Sequence, residues 1–461
     1  MSLSETANRE AEAGALRVTY ALRKLLNPYF DGSAGVSQTH RAALLAFLIR
    51  VVSAGIAYLS QVFLARWMGS FEYGIYVFVW VWVLILGGLA PLGLSTASTR
   101  FVPEYRETGQ IELLRGLLRR ARIIAVLSST VIALLGLAGL ALFGDTLADY
   151  YLLPAFLILF CLPVYTLVDV QDGIARGYAW MNVALVPPYI LRPLLLLFAM
   201  LGVYGAGLEM SAVSAAGAAV FTCWVSAIIQ SFALERKIKQ ETGPGPRTYK
   251  TSFWLRTSLP LLLFSSFIAL LQNTDIIVLS RYMDPSQVAV YFAALKTISL
   301  VAFVHFAVGA AAANRFSALN ALGKQGELQI TVRDAVKWTF WPSLAGTIIL
   351  LILGKPLLWL FGAEFTSGYP VMFVLAAGLM IRAATGPVEL ILNMLGQQKI
   401  CALALFGSVG LNLALNFTLI PTHGLMGAAS ATAISMSVAA IFMAVAARKK
   451  LGLNCFVWQL S

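Results

Sequence analysis

Runs of about twenty apolar residues, separated by short charged patches, recur along almost the whole chain. Wound as a helix, such a run spans the roughly 30 Å hydrocarbon core of a bilayer. Barrel strands would be about half as long and would alternate apolar with polar residues. The composition agrees. Of 461 residues, 59% are hydrophobic and only 12% charged, whereas soluble chains carry about 25% charged residues. The pattern predicts an all-α polytopic membrane protein with twelve spans, near 42–65, 74–99, 123–143, 152–172, 183–203, 210–233, 258–280, 288–312, 338–361, 369–393, 401–420 and 425–447.

Lysine and arginine orient those spans. Of the 33, 26 fall on one set of alternate connections, 3 (Arg66, Arg281, Lys355) on the other, and 4 inside spans. By the positive-inside rule both termini face the cytoplasm. The net charge of +12 is therefore explained by a basic face against anionic headgroups, and no nucleic-acid partner is expected. Cys161, Cys223, Cys401 and Cys455 have neither metal-ligand nor redox spacing, and read as packing residues. No metal site or cofactor is expected. Residues 11–26 mix leucines with Arg17, Arg23 and Lys24 before Asn27-Pro28, and are expected to form a short interfacial helix.

An internal repeat organises the chain. “LARWMGSFEYGIY” at 64–76 returns as “LSRYMDPSQVAVY” at 279–291, and 64–113 matches 279–328 at ten positions with a constant shift of 215. Further on the shift reads as 219, pairing Gly177 with Gly396 and Gly205 with Gly424. Two six-span lobes follow, 42–234 and 258–447. They lie between an N-terminal cytoplasmic segment (1–41), a Gly/Pro-bearing cytoplasmic linker (235–257) and a tail (448–461). Both lobes start on the same side, so the repeat is parallel, and the substrate site is expected between them. Arg66 and Arg281 sit in the repeated outer hairpin and are expected to anchor it by snorkelling to headgroups.

“LARWMGSFEYGIYVF” followed by “TRFVPEYRETGQ” resembles the opening of the polysaccharide-transport flippases, within the multidrug/oligosaccharidyl-lipid/polysaccharide (MOP) exporter superfamily. “GQQKICALALFGSVGLNLALNFTLIPTHGLMGAA” resembles that family's second-half pattern of a Gly turn, an Asn-bearing span, then Ile-Pro and a Gly-rich restart. The resemblance covers most of 42–447. It implies twelve helices in two lobes around a cavity that opens alternately to each side, in a bacterial inner membrane. It also implies a polyprenyl-pyrophosphate-linked oligosaccharide as cargo for surface polysaccharide (O-antigen or exopolysaccharide) synthesis. Other polysaccharide-assembly proteins are then candidate partners, besides membrane lipids. An ion gradient could drive the cycle, the ion being open.

Ionisable groups inside spans cost about 2.5–3.5 kcal/mol each on insertion scales, which makes them functional candidates. Arg50, Ser53, Ala57 and Gln61 share one face of the first span, and the resemblance puts that span on the cavity. Gln272, Asn273 and Asp275 lie in the seventh span. Lys296 and His305 in the eighth are half a turn out of phase, and Lys296 is the one assigned to the cavity. Arg192 stands between Pro187-Pro188 and Pro193, where it could bind carbonyls freed by a kink or face substrate. Arg382 and Glu389 share a face of the tenth span. Seven apart on a continuous helix, they are too distant to pair and are each expected to meet a neighbouring helix. Substrate-binding candidates are thus Arg50, Gln61, Arg192, Gln272, Asn273, Lys296 and Arg382. Asp275 and Glu389 are candidates for the coupling ion. All have a structural alternative as helix ties.

Charge bears on the cargo. Four intramembrane cations stand against Asp169, Asp275 and Glu389. This leans toward an anionic pyrophosphate and away from the acid-lined cavity of a cation-drug exporter, the alternative within the superfamily. A polytopic enzyme of polysaccharide assembly is the second alternative, but the expected outer loops are too short to hold a catalytic centre. The topology is directly testable: reporters fused at Gly243 and Lys449 should read cytoplasmic and those at Ser70, Asp145 and Ser367 external. A cytoplasmic signal from Asp145 would break the twelve-span scheme.

Overall fold

The computed structural model describes residues 34–459, so the expected interfacial helix at 11–26 lies outside the described residues. Among the described residues every regular element is helical. In chain order they are α1 (Ala34–Leu89), α2 (Leu94–Glu107), α3 (Ile111–Phe143), α4 (Asp149–Leu159), α5 (Leu162–Gly177), α6 (Met181–Val186), α7 (Arg192–Gly205) and α8 (Ala212–Thr242). The second half of the sequence gives α9 (Thr251–Tyr282), α10 (Pro285–Ile298), α11 (Ala302–Ala321), α12 (Gln325–Ile352), α13 (Gly354–Trp359), α14 (Tyr369–Ala384), α15 (Val388–Met394) and α16 (Gln398–Leu451). The chain divides into two compact units, residues 1–52 and 53–461. Every contact given below lies within the second.

Among the described residues nine helices are long and apolar enough to cross a membrane, or ten if α4 and α5, bent by 47°, count as one. Two of the nine are too long for a single crossing. At about 1.5 Å per residue, the 54 residues of α16 would extend over twice the hydrocarbon thickness. Each of these two breaks at one glycine. Gly69 in α1 has φ 76° and ψ 167°, and Gly424 in α16 has φ 55° and ψ −130°. The expected outer loops 66–73 and 421–424 thus shrink to single-residue breaks. The expected cytoplasmic loops shrink too. α3 begins at Ile111 and α8 runs on to Thr242, so helix continues where loop was expected.

Turn geometry carries the repeat, with a shift of 214 at its first turn where the sequence letters align at 215. Gly109 (φ 70°) and Gly323 (φ 68°) each precede a residue whose N–H reaches back five positions, Gln110 to the Tyr105 carbonyl and Lys324 to that of Leu319. Ala179 (φ 59°) and Gly396 (φ 78°) do the same through Trp180 and Gln397. This last pair sets the later register at 217, and Gly207 and Gly424, both with positive φ, keep it. The shift of 219 is therefore corrected: Gly396 corresponds to Ala179, an alanine in a left-handed position, and not to Gly177.

One hydrophobic cluster joins the halves. It includes the fully buried Tyr73, Tyr291, Phe361 and Phe365. Gly74 lies so close to Pro285 that a Cβ would come within 1.8 Å of the Pro285 carbonyl oxygen. Arg66 donates to the carbonyls of Trp359 (3.0 Å) and Leu360 (2.8 Å) and its guanidinium lies over the Trp359 ring. It thus caps the end of α13 in the opposite half. The linker is not slack. Arg115 donates to the carbonyls of Thr242 and Gly243, the Thr248 N–H donates to the Glu112 carbonyl at 3.1 Å, and Trp254 Nε1 donates to the Tyr105 hydroxyl at 2.9 Å. The tail docks as well, through two hydrogen bonds between Gln329 and the Asn454 backbone. Burial there pushes the Cys455 thiol up to about 12. All four cysteines are buried free thiols. Exposed Leu134, Leu142, Phe232, Trp338 and Ile352 give α3, α8 and α12 the apolar exterior that lipid requires.

The glycine breaks make a graded prediction. Gly69 has open space where a Cβ would go, whereas a Cβ on Gly93 (φ 74°) would lie 2.2 Å from the Ser258 carbonyl oxygen. Gly69→Ala should cost only backbone strain, about 1–3 kcal/mol, and Gly93→Ala visibly more. Thermal unfolding midpoints in detergent should fall in that order; the reverse order would refute the close approach of α2 and α9.

Candidate functional site

A cavity of about 330 Å³ lies where α1, α7 and α8 of the first half face α10 and the turn after it. Its charged lining residues are Arg192 and Lys296, and no carboxylate lines it. The sequence pattern around each cation explains its place.

Arg192 follows a one-turn π-helix, Pro187–Leu191. Pro187 has no N–H, so the Val183 carbonyl loses its helical donor. Gln230 Nε2 supplies one at 3.1 Å, and Ser226 Oγ donates to the Pro187 carbonyl at 3.0 Å. Both come from α8. The Pro187 carbonyl also accepts from the Arg192 backbone N–H, so these carbonyls make no use of the guanidinium, which lines the cavity. It lies 5.4 Å from the Trp80 ring centre and 5.2 Å from that of Tyr165. Lys296 sits near the end of α10, its Nζ 4.9 Å from the Phe292 ring centre. The helix is interrupted at Ser299–Val301 by a 3-10 turn, so the half-turn phase argument against His305 does not hold as stated. His305 is nevertheless absent from the cavity lining.

Gln61 also lines the cavity, its Oε1 accepting from the Tyr73 hydroxyl at 2.9 Å. Tyr58 bridges the halves there, sharing a 3.1 Å hydrogen bond with Thr297. Arg50 is half-buried and belongs to the 1–52 unit. Gln272 is exposed, and Asn273 turns back to donate to its own helix at the Ala269 carbonyl, 2.7 Å.

Asp275 is withdrawn from the cavity into a buried polar cluster. Tyr291 and Thr432 donate to its Oδ2 and the Ile276 N–H to its Oδ1. Asn412 Nδ2 reaches Ser435 at 3.1 Å, and Asn416 Nδ2 donates to Asn412 Oδ1 at 2.9 Å. Asn416 Oδ1 is buried with no hydrogen-bond partner among the described residues. Arg382 and Glu389 pair with each other at 3.6 Å. The expectation that they are too far apart assumed a continuous helix. In the structure α14 ends at Ala384 and Gly386 (φ 59°) turns the chain before Val388, which brings Glu389 back. Sequence reading missed the aromatic rings beside the cations, Trp80, Tyr165 and Phe292, because each lies in an evenly apolar run. It also missed Asn412, Asn416 and Thr432 as a group. The Asn-x-x-x-Asn spacing inside an oily span was the available signal.

The chain matches the model of the polysaccharide biosynthesis protein family over residues 40–317, and that of the MatE family over 260–418. It is 25% identical over 165 residues to the probable low-salt glycan biosynthesis flippase Agl15 of Haloferax volcanii, covering 36% of this chain and 35% of that one. The chain thus spans about a third of the length of that relative. It is 22% identical over 426 residues to an uncharacterized membrane protein of Methanocaldococcus jannaschii, covering 85% and 80% of the two chains. Among solved structures it shares the fold of an inward-facing multidrug resistance MATE family transporter of the MOP superfamily (TM-score 0.72, 16% identity, 87% and 94% covered). It also shares that of the lipid II flippase MurJ in an inward closed conformation (TM-score 0.70, 15% identity, 88% and 87% covered). A MOP transporter from Pyrococcus furiosus, described as having a binding pocket of reverse polarity, aligns with a TM-score of 0.67 at 17% identity, covering 89% and 95%. The chain belongs to the polysaccharide biosynthesis protein family. It is a multi-pass membrane protein by its long apolar helices, and the fold it shares is that of MOP-superfamily transporters.

The Arg382–Glu389 pair is half-exposed, with side chains 38% and 24% accessible. A double-mutant cycle with Arg382→Met and Glu389→Gln should show a coupling of about 0.2–1 kcal/mol. Zero coupling would mean that the turn at Gly386 does not hold them together.

Proposed function

We propose that the protein flips an oligosaccharide linked to polyprenyl pyrophosphate across the cytoplasmic membrane, by alternating access, for surface polysaccharide synthesis of the O-antigen or exopolysaccharide kind. The observation that carries this reading is the cavity wall, which presents Arg192 and Lys296 and no carboxylate. In a low-dielectric space such a wall attracts a pyrophosphate and repels a cationic drug. The family match and the Haloferax relative support the same cargo. The MATE likeness keeps multidrug export as the second reading, against which the sign of the cavity speaks.

In this reading the glycine breaks and the bent α4–α5 pair bring the crossings to twelve, with both termini cytoplasmic and two lobes, 42–234 and 258–447, rocking about the cavity. The membrane is a bacterial inner (cytoplasmic) membrane. Cargo cations are Arg192 and Lys296, with the neutral Gln61 beside them in the cavity and Arg382 held back by Glu389; Arg50, in the other unit, remains a separate candidate. Asp275 is the stronger coupling-ion residue. Its carboxylate accepts from the Tyr291 and Thr432 hydroxyls, and Thr432 links it on to Asn412, while Glu389 already has an arginine. Polysaccharide-assembly proteins are the partners this role calls for.

The test is export measured together with membrane abundance. Arg192→Gln and Lys296→Gln should each lower surface polysaccharide by about tenfold or more at normal abundance, since each removes a charge-assisted contact worth about 1.5–3 kcal/mol. Arg192→Lys should rescue in part, keeping the charge but losing the planar fork. Normal polysaccharide in the double variant would overturn the cargo assignment, and resistance to cationic drugs lost in its place would favour multidrug export.

A further inference from the structure

Away from the central cavity, the first half carries a second recess, at the membrane boundary on the side with the cation excess. It has a volume of about 690 Å³ and lies between the start of α3, the end of α8 and the first residues of the linker. Five cations line it (Arg115, Arg119, Arg122, Lys239 and Arg247) against one carboxylate, Glu235. Two of the five are engaged. Arg115 holds the terminal carbonyls of α8 at Thr242 and Gly243, and Arg122 pairs with Glu235 at 2.9 Å. Arg119, Lys239 and Arg247 make no ion pair among the described residues. The recess therefore holds three positive charges without a counter-charge.

Arg122 and Glu235 also form the edge of a second, apolar trench of about 350 Å³. It runs from the recess toward the membrane interior along α5 and α8, over Val164, Leu167, Trp224, Ile228 and Phe232. Trp224, Ile228 and Phe232 are exposed. Neither hollow shares a lining residue with the central cavity. A cationic cup opening into an oily trench matches an amphiphile with an anionic head and a hydrocarbon tail.

We propose that the composite site binds one anionic phospholipid of the cytoplasmic leaflet. Its phosphate lies among Arg119, Lys239 and Arg247, and one acyl chain lies in the trench. Charge complementarity chooses the head, and the contiguity of the two hollows chooses a lipid over a free anion. Separation from the cavity chooses a resident lipid over cargo. The positive-inside bias alone accounts for the cations, but not for a trench aligned with them.

Native mass spectrometry of the full chain in detergent tests this, with palmitoyl-oleoyl phosphatidylglycerol as probe and the phosphatidylcholine analogue as control. Phosphatidylglycerol should saturate at one retained molecule per chain, and phosphatidylcholine should not be retained. Combining Arg119→Gln, Lys239→Gln and Arg247→Gln should weaken retention by about fivefold per cation. Ile228→Trp, which fills the trench and leaves every cation in place, should weaken it too; this lipid-facing variant decides the matter if the triple variant expresses poorly. Retention unchanged in Ile228→Trp, or abolished by millimolar inorganic phosphate, would reduce the recess to a simple anion site and overturn the proposal. So would undecaprenyl phosphate displacing phosphatidylglycerol at equal concentration, which would make the site a cargo station. Non-saturating uptake insensitive to the triple variant would leave only a charged face and overturn it as well. The readout is lipid retention, not glycan export, so failure of the cargo reading would not touch it.

Discussion

In hydrocarbon, no backbone N–H or C=O can turn to water for a partner. Most of this chain obeys by being helix. Its departures from helix are where function collects, because each must be repaired by a side chain from elsewhere. Pro187 leaves the Val183 carbonyl without its helical donor, and Gln230 supplies one. The end of α13 is served by Arg66 from across the molecule, and the end of α8 by Arg115. These repairs are long-range bonds between elements, and they fix how the helices stand. The repair at Pro187 makes no use of the Arg192 guanidinium, which lines the cavity. Had Arg192 been needed for those carbonyls, the cavity would carry Lys296 alone.

Among the described residues neither cavity cation makes a salt bridge, and aromatic rings stand beside both. Rings of Trp80 and Tyr165 beside Arg192, and of Phe292 beside Lys296, present their negative faces. A carboxylate partner would hold the cation more firmly but would also neutralise it. Rings offset part of the desolvation cost and leave the positive field available to a ligand. Arg382 shows the other arrangement. Paired with Glu389, it has a counter-charge at 3.6 Å. The same residue type thus serves two purposes, distinguished by what packs beside it.

Much of this was legible in sequence. Span length and the skewed distribution of lysine and arginine depend on the bilayer alone, so they could be read without knowing the packing. Arg192 and Lys296 could be nominated because charge in an oily run is costly wherever the run lies. The partners were not legible. Whether Arg382 reaches Glu389 depended on a turn at Gly386, and seven residues on a helix is a different distance from seven residues around a bend. The repeat register failed for a related reason. Gly177 and Gly396 match as letters, but the left-handed turn position falls on Ala179, where no glycine marks it. The one-residue breaks at Gly69 and Gly424 were read as loops because a glycine-bearing junction looks the same in sequence whether it takes one residue or eight.

The docked linker bears on how the halves can move. A flexible tether over residues 235–257 would let its ends wander over tens of ångströms. Here Thr248 is bonded to Glu112 and Trp254 to Tyr105, on either side of the point where α9 begins. The second half is thus attached to the first at a fixed bearing, not on a leash. Whatever rocking opens the cavity must swing α9 about that bearing, so displacement grows with distance from it and is greatest at the opposite membrane face, where Gly74 meets Pro285.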